Sequence, residues 1–239
     1  MTELLYQTDS YLQDFDAVVD SVLPEERAVI LDRTAFYPGG GGQPCDWGSL
    51  SIAGVEHPVT KVKKQGDAVL HFLGGDAPLP ARGSASHGTL DWSRRYNLMR
   101  THSALHVLCG TVFRDYGALV TGGDMEPLKG RMDIEFANMR GDLVREIEAA
   151  VNDEIRKGRD IRVRILPREE AFQIPDLIRT KINLLPEGIT QVRTVEIVGL
   201  DLQADGGTHV HNTSEVGSIR VTDYKSKGAI NKRLYIDIL

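Results

Sequence analysis

Apolar and polar positions alternate in short runs over the first ninety residues and change to a helical period after them. Arg27 to Leu31, Trp47 to Ile52, Val55 to Val62 and Ala68 to Phe72 are brief apolar stretches separated by Gly, Pro and Asp, the pattern of successive short strands. Strands at this spacing predict a small β-barrel. Pro78, Pro80 and Gly83 mark an expected joint between domains, giving a barrel domain over 1–90 and a second domain over 91–239.

The second part opens with a predicted helix from about Ser93 to Tyr116, with Asp91 or Ser93 as its cap and Gly117 as its terminator. Leu98, Leu105 and Val112 form one apolar stripe. Met99, His102, His106, Cys109 and Phe113 form another, so both faces are expected to be covered and the histidines to sit in a cleft. A glycine-rich turn over Thr121 to Gly130 and a strand over Met132 to Phe136 follow. Leu143, Ile147, Val151 and Ile155 then recur at helical spacing. Strands are expected at Ile161 to Leu166, Val192 to Leu200, Val216 to Tyr224 and Arg233 to Ile238, with a short helix over Pro167 to Leu177. Helices packed on a mostly antiparallel sheet make the fold class α+β.

The chain has 239 residues, 41% of them hydrophobic and 26% charged, which is ordinary for a globular protein with a substantial core. No apolar run approaches the roughly 20 residues that span a bilayer. The first residues lack the basic-then-apolar pattern of a signal peptide. Two cysteines, Cys45 and Cys109, make no disulfide framework, so a reducing cytoplasmic setting is expected. A net charge of −6 argues against indiscriminate nucleic-acid binding. Local basic clusters remain in Arg94, Arg95 and Arg100, and in Lys225 to Arg233, and these leave RNA contact open.

The most specific chemistry lies in Thr101-His102-Ser103-Ala104-Leu105-His106. Side chains at i and i+4 of a helix point the same way, with Cβ atoms roughly 5–6 Å apart. Two imidazoles so placed can take two corners of a tetrahedron around Zn²⁺, at about 2.0–2.1 Å each. A His-x-x-x-His pair alone is weak grounds for a metal. A second cluster, Asp205-Gly206-Gly207-Thr208-His209, strengthens it, because the two glycines permit a turn that folds Asp205 and His209 toward one point. If residues 208–212 are extended, His209 and His211 share a face, and spacing alone does not choose between them. A carboxylate is a harder ligand than a thiolate and raises the relative affinity for Mg²⁺ or Mn²⁺. Four protein ligands describe a closed site, so catalysis would need Asp205 displaced by water or an expanded coordination shell.

The run Gly39-Gly40-Gly41-Gly42-Gln43 is the other unusual segment. Consecutive glycines let a backbone approach a ligand closely, and Gln43 adds an amide that both donates and accepts. No Gly-Lys-Ser/Thr follows, so this is not a phosphate-binding loop of the Walker kind. A flexible hairpin tip is the simpler account of the run taken alone.

Three segments in order, Asp32-Arg33-Thr34-Ala35-Phe36-Tyr37-Pro38-Gly39-Gly40-Gly41-Gly42-Gln43-Pro44, His102-Ser103-Ala104-Leu105-His106 and Gln203-Ala204-Asp205-Gly206-Gly207-Thr208-His209-Val210-His211-Asn212-Thr213-Ser214-Glu215-Val216-Gly217, resemble the AlaX family. These are free-standing relatives of the editing domain of alanyl-tRNA synthetase, and Ser226-Lys227-Gly228 to Arg233 also fits the family. The resemblance implies a zinc site of His102, His106, Asp205 and His209, with His211 at a variable position. Asp205 departs from the pattern, which has Cys there, and this opens the identity of the metal. The resemblance further implies hydrolysis of tRNA(Ala) wrongly charged with serine or glycine, an ester cleavage, with the acceptor end of the tRNA as partner.

On that basis Thr34 and Gln43 are expected to hold the seryl hydroxyl or stabilise the developing oxyanion, with Gly40, Gly41 and Gly42 lining the pocket. Arg94 and Arg95, with Lys227 and Arg233 of the basic C-terminal segment, are expected to meet acceptor-stem phosphates. Two other readings fit the same residues: a metallohydrolase of this scaffold acting on another aminoacyl-tRNA or ester, and a catalytically silent RNA-binding module. No segment resembles an ATP-binding aminoacylation core.

Overall fold

The computed structural model describes residues 1–178 and 188–239. These fall into two compact units, Met1–Asn97 and Leu98–Leu239. The fold is α+β, as the hydrophobic pattern predicts.

The first unit is built on a closed antiparallel barrel. Its strands are β2 (Asp14–Leu23), β3 (Ala28–Leu31), β5 (Gly48–Ile52), β6 (Val55–Gln65), β7 (Ala68–Leu73) and β8 (Ala85–Leu90), closed in the order β2-β3-β7-β6-β5-β8. Two short strands outside it, β1 (Glu3–Leu4) and β4 (Arg33–Thr34), pair in parallel. Alternation along β2 turns Phe15, Ala17 and Val19 inward to meet Val29, Leu31, Leu50, Ile52, Val59, Val69 and Leu90. The segment Pro78 to Gly83, expected to join two domains, lies within this unit because β8 follows it and closes the barrel. Strand β8 carries little hydrophobic signal, since its inward positions are Ser86, Gly88 and Leu90. The reason is steric: a Cβ on Gly88 would lie 2.4 Å from the ring of Phe15, which already fills that space.

The second unit carries most of α1 (Trp92–Tyr116), whose first turns belong to the barrel unit. The Asp91 carboxylate caps the helix by accepting from the Arg94 N–H at 3.0 Å, and Gly117 ends it at φ +64°. Both α1 stripes are covered, with Leu98, Met99, Leu105, Leu108, Cys109 and Val112 all buried. A four-stranded antiparallel sheet follows the order β14 (Ile219–Ser226), β15 (Asn231–Ile238), β10 (Lys129–Glu135), β9 (Val120–Glu126). The expected glycine-rich turn over Thr121 to Gly130 is instead the β9–β10 hairpin. Gly122 and Gly123 pair along β10, and Gly130 leaves room for Leu105, which a Cβ there would meet at 3.1 Å.

Helix α2 (Gly141–Arg156) packs on β14 through Val144, Ile147, Val151 and Ile155, so its buried stripe begins at Val144 and Leu143 is only half-buried. A second antiparallel sheet holds β11 (Ile161–Pro167), β12 (Gln191–Ile197) and β13 (Asp201–Ala204). The helix expected over Pro167 to Leu177 is a single turn, α3 (Arg168–Ala171), after which Ile174 and Leu177 join Ala171 in the small core against Val192.

Two buried ionic groups hold these units. In the first, Arg95 is wholly buried, contrary to its expected role at a phosphate. Its Nε donates to both oxygens of Asp46 at 3.0 Å, and its guanidinium also donates to the carbonyls of Ser10 at 2.9 Å and Ala35 at 2.5 Å. In the second, the Glu154 carboxylate accepts from Arg114, from Lys157 at 2.7 Å and from Arg159 at 2.8 Å. Burial alone would raise the Glu154 pKa, but these donors outweigh it and hold the carboxyl at about 2.

Removing one partner of a buried ion pair strands the other. Asp46→Ala is therefore expected to lower unfolding stability by roughly 3–5 kcal/mol, read as a shift in the denaturant midpoint. Glu154 titrates in the folded state below its unfolded value of 4.5, so its contribution is complete above pH 4.5 and is lost as pH falls toward 2. Glu154→Gln should flatten that acid limb and cost about 1.5–3 kcal/mol at pH 7, measured by unfolding across a pH series.

Candidate metal centre

Helical spacing on α1 brings His102 and His106 together, and the segment after β13 brings Asp205 and His209 to meet them. One ligand atom from each of the four residues lies within 4.8 Å of all the others. His102 Nε2 is 3.6 Å from Asp205 Oδ1, His106 Nε2 is 4.0 Å from the same oxygen, and His209 Nε2 is 2.9 Å from Asp205 Oδ2. The His102 and His209 rings stack at 4.2 Å, with the His106 ring edge-on to both. Ligand atoms around a tetrahedral zinc ion lie about 3.4 Å apart, and the three distances above are each within about 0.6 Å of that. His211 is exposed, its backbone N–H bound to Glu215, and it stands outside the cluster.

The surrounding bonds set which nitrogen faces inward. His209 Nδ1 lies 3.2 Å from Ser103 Oγ, and His106 Nδ1 lies 3.3 Å from Asp201 Oδ2, which turns Nε2 of both rings toward the cluster. Asp205 Oδ2 accepts from the Gly207 N–H at 2.8 Å, and Arg193 donates to the Asp205 carbonyl at 3.0 Å. Burial lowers the His102 pKa well below its ordinary value and that of His209 to about 4, so both are neutral donors at pH 7. At His106 burial also acts downward, but the hydrogen bond to Asp201 and the charge of Asp205 reverse the balance and raise it. Burial would raise the Asp205 pKa, yet the imidazoles of His102 and His209 hold it well below the carboxylate range. Neutral His102 and His209 beside an ionised carboxylate are donors suited to a divalent cation.

Of the remaining sequence-predicted residues, Thr34, Gly40 to Gln43 and Arg94 belong to the barrel unit, and Lys227 and Arg233 to the second. Thr34 is fully buried in the barrel unit, 2.8 Å from His71 Nε2, and its hydroxyl oxygen accepts from the Phe36 N–H at 3.1 Å. Gly39 to Gly42 all have positive φ. Gly40 and Gln43 exchange backbone hydrogen bonds at 3.0 and 2.9 Å, so Gly41 and Gly42 form the tip of a tight hairpin. Gln43 is buried, whereas Gly40 and Gly41 are exposed. Arg94 stacks 4.1 Å from the centre of the Trp47 ring. Arg233 is tied to Asp133 by bonds of 2.6 and 2.7 Å, and Lys227 is exposed at the β14–β15 turn.

Sequence reasoning missed Ser103, Arg193, Asp201 and Gln203, which all touch the cluster. A signal existed for two of them. Asp201, Gln203 and Asp205 alternate, and on a strand such positions share a face.

Comparison with known proteins agrees with this architecture. A family profile described as the second additional domain of threonyl and alanyl tRNA synthetases matches residues 192–235, and one for class II (A) tRNA synthetases matches residues 6–94. The chain is 40% identical to the alanyl-tRNA editing protein AlaX-M of Saccharolobus solfataricus, over all of this chain and 99% of that one. It is 36% identical to AlaX-M of Methanosarcina acetivorans over the whole of both. It also matches 24% of the alanine–tRNA ligase of Ignicoccus hospitalis at 37% identity, across 92% of this chain. The fold and the cluster thus fall in the class of synthetase-related editing modules. The chain belongs to the AlaX family of alanyl-tRNA editing proteins.

If the four residues bind a divalent ion, metal stabilises the fold by mass action. Adding Zn²⁺ to metal-stripped protein at a hundred times its Kd should raise unfolding stability by about 2.7 kcal/mol, and His102→Ala should abolish the rise, as thermal unfolding would register.

Proposed function

We propose that this chain is an editing hydrolase that cleaves the ester joining serine or glycine to tRNA(Ala), with a divalent metal held by His102, His106, Asp205 and His209. As an AlaX protein it is an aminoacyl-tRNA deacylase. The observation that carries the finer reading is the convergence of three buried imidazoles and one half-buried carboxylate in a chain that aligns with 99% of its AlaX-M relative. Zn²⁺ is the first candidate, and the carboxylate of Asp205 in place of a thiolate keeps Mn²⁺ or Mg²⁺ in play.

A bound divalent ion supplies Lewis acidity at the ester carbonyl or an acidified water. The chain's own groups do the rest. Ser103 and Asp201 fix two ring orientations, so that Nε2 of His209 and of His106 face inward. The Gly207 N–H and the imidazole of His209 hold one oxygen of Asp205 and leave the other facing His102. Burial of His102 and His209 keeps both uncharged.

For the barrel unit we propose that Gln43 and the N–H groups at Gly40, Gly41 and Gly42 contact the aminoacyl group. A pocket that pairs with a seryl hydroxyl is left with unpaired polar groups when alanine replaces serine, and this favours the mischarged substrate. Thr34 acts in this reading by anchoring the approach to the glycine hairpin through His71 and Phe36 as well as by contact. Arg94 and Lys227 are the proposed phosphate contacts, with Arg233 half-neutralised by Asp133. A cytoplasmic setting suits a tRNA substrate, and no helix is long and apolar enough to cross a membrane among the described residues.

The test is deacylation of Ser-tRNA(Ala) and Gly-tRNA(Ala), with Ala-tRNA(Ala) as control, before and after metal removal. Release from the mischarged forms at least tenfold faster than from Ala-tRNA(Ala), lost with chelator and restored by Zn²⁺ or Mn²⁺, is the expected result. Release of another amino acid from its tRNA at a comparable rate would move the assignment to a different substrate. The absence of release from any of them would leave an RNA-binding module.

A further inference from the structure

We propose that Asp201 is a positioning residue of this centre, orienting His106 toward the metal and compensating buried positive charge from behind the ligand. The proposal rests on reading the His102, His106, Asp205 and His209 cluster as a metal site.

Three observations carry it. Asp201 Oδ2 lies 3.3 Å from His106 Nδ1, on the side of the ring away from the cluster, and the Asp201 side chain is fully buried. A buried carboxylate must be compensated, and here Gln203 Nε2 donates to the same oxygen at 2.6 Å while also contacting Cys109 Sγ at 3.3 Å. The oxygen is therefore held between an amide anchored to α1 and the imidazole it serves.

The second observation concerns Gly110, one helical turn after His106. A Cβ there would lie 2.9 Å from Asp201 Cβ and 3.0 Å from Leu200 Cγ. The bare helix surface at Gly110 is what allows the Leu200–Asp201 turn to approach close enough for the carboxylate to reach His106 Nδ1. Gly199, at φ +74°, makes the reversal that delivers it.

The third is electrostatic. Asp205 is shared between the cluster and Arg193, whose Nη1 lies 3.7 Å from Asp205 Oδ2. A divalent ion would therefore enter a buried site that already contains a guanidinium, and a single carboxylate would leave it strongly positive. Asp201 supplies the second negative charge, and its hydrogen bond raises the basicity of the His106 nitrogen that faces the ion.

The experiment uses the full chain stripped of metal, titrated with Co²⁺ by its visible absorption and with Zn²⁺ in competition with a chromophoric chelator. Asp201→Asn keeps an oxygen able to accept from His106 and Gln203 but removes the charge. Gly110→Ala keeps the charge and displaces it. Each is expected to weaken both metals by about ten- to a hundredfold and to change the Co²⁺ band pattern, with Gly110→Ala also lowering the melting temperature of the metal-free protein through overpacking. Should either variant fail to fold, Gln203→Leu frees the carboxylate from its anchor and is expected to weaken binding in the same direction. Affinities within twofold of wild type in the folded variants, even with a lower melting temperature, would reduce Asp201 to a packing role and overturn the proposal. Wild-type protein that binds neither metal would overturn the metal reading itself, an outcome separable from the first because it needs no variant.

Discussion

The second unit is organised around a set of polar groups that cannot be buried unless each has a partner. Between Leu98 and Val112, α1 is covered on every side, yet it carries two imidazoles into that covered region. An unpaired imidazole or carboxylate in such a place costs several kcal/mol, so the surrounding chain is arranged to supply partners. Ser103 serves His209, Asp201 serves His106, Gln203 serves Asp201, and the Gly207 N–H serves Asp205. Most departures from ordinary packing nearby, such as a glycine inside the helix at Gly110 and a left-handed residue at Gly199, follow from bringing those partners in.

The barrel unit meets a comparable demand by other means. Its glycine run holds four successive residues at positive φ, a conformation with little intrinsic preference for one arrangement. Definition comes from the flanks. Asp46 accepts from the Tyr37 N–H at 2.6 Å and returns its own N–H to the Tyr37 carbonyl at 3.0 Å, and Arg95 clamps Asp46 from beneath. Tyr37 then reaches forward to the Gly40 carbonyl at 3.0 Å. A buried ion pair therefore orders an exposed hairpin, which is how a flexible segment can present backbone donors in a fixed pattern. Arg95 read as a surface cation in the sequence because it adjoins Arg94. Only one of the two neighbours faces solvent, since successive helical positions point about 100° apart.

Similar reasoning explains which elements were legible. The histidine pair was readable because i to i+4 is a local relation that any helix fulfils. Strands β3, β5, β6 and β7 were readable for the same reason, since alternation along a strand is local too. Strand β8 was not, because its inward positions are small residues that make sense only once the ring of Phe15 occupies the space opposite. The hairpin of β9 and β10 reads as a turn in the sequence because its glycines sit within paired strands, where Gly130 admits Leu105.

The sequence by itself determined the helical and strand periods, the four prospective ligands and the resemblance that orders them, since each depends on residue identity and short spacing. The tertiary structure alone decided that Arg95 is a strut and that Asp201 stands behind His106. Those facts depend on which surfaces meet across roughly a hundred residues of chain, and no local spacing encodes the distance between two side chains so separated.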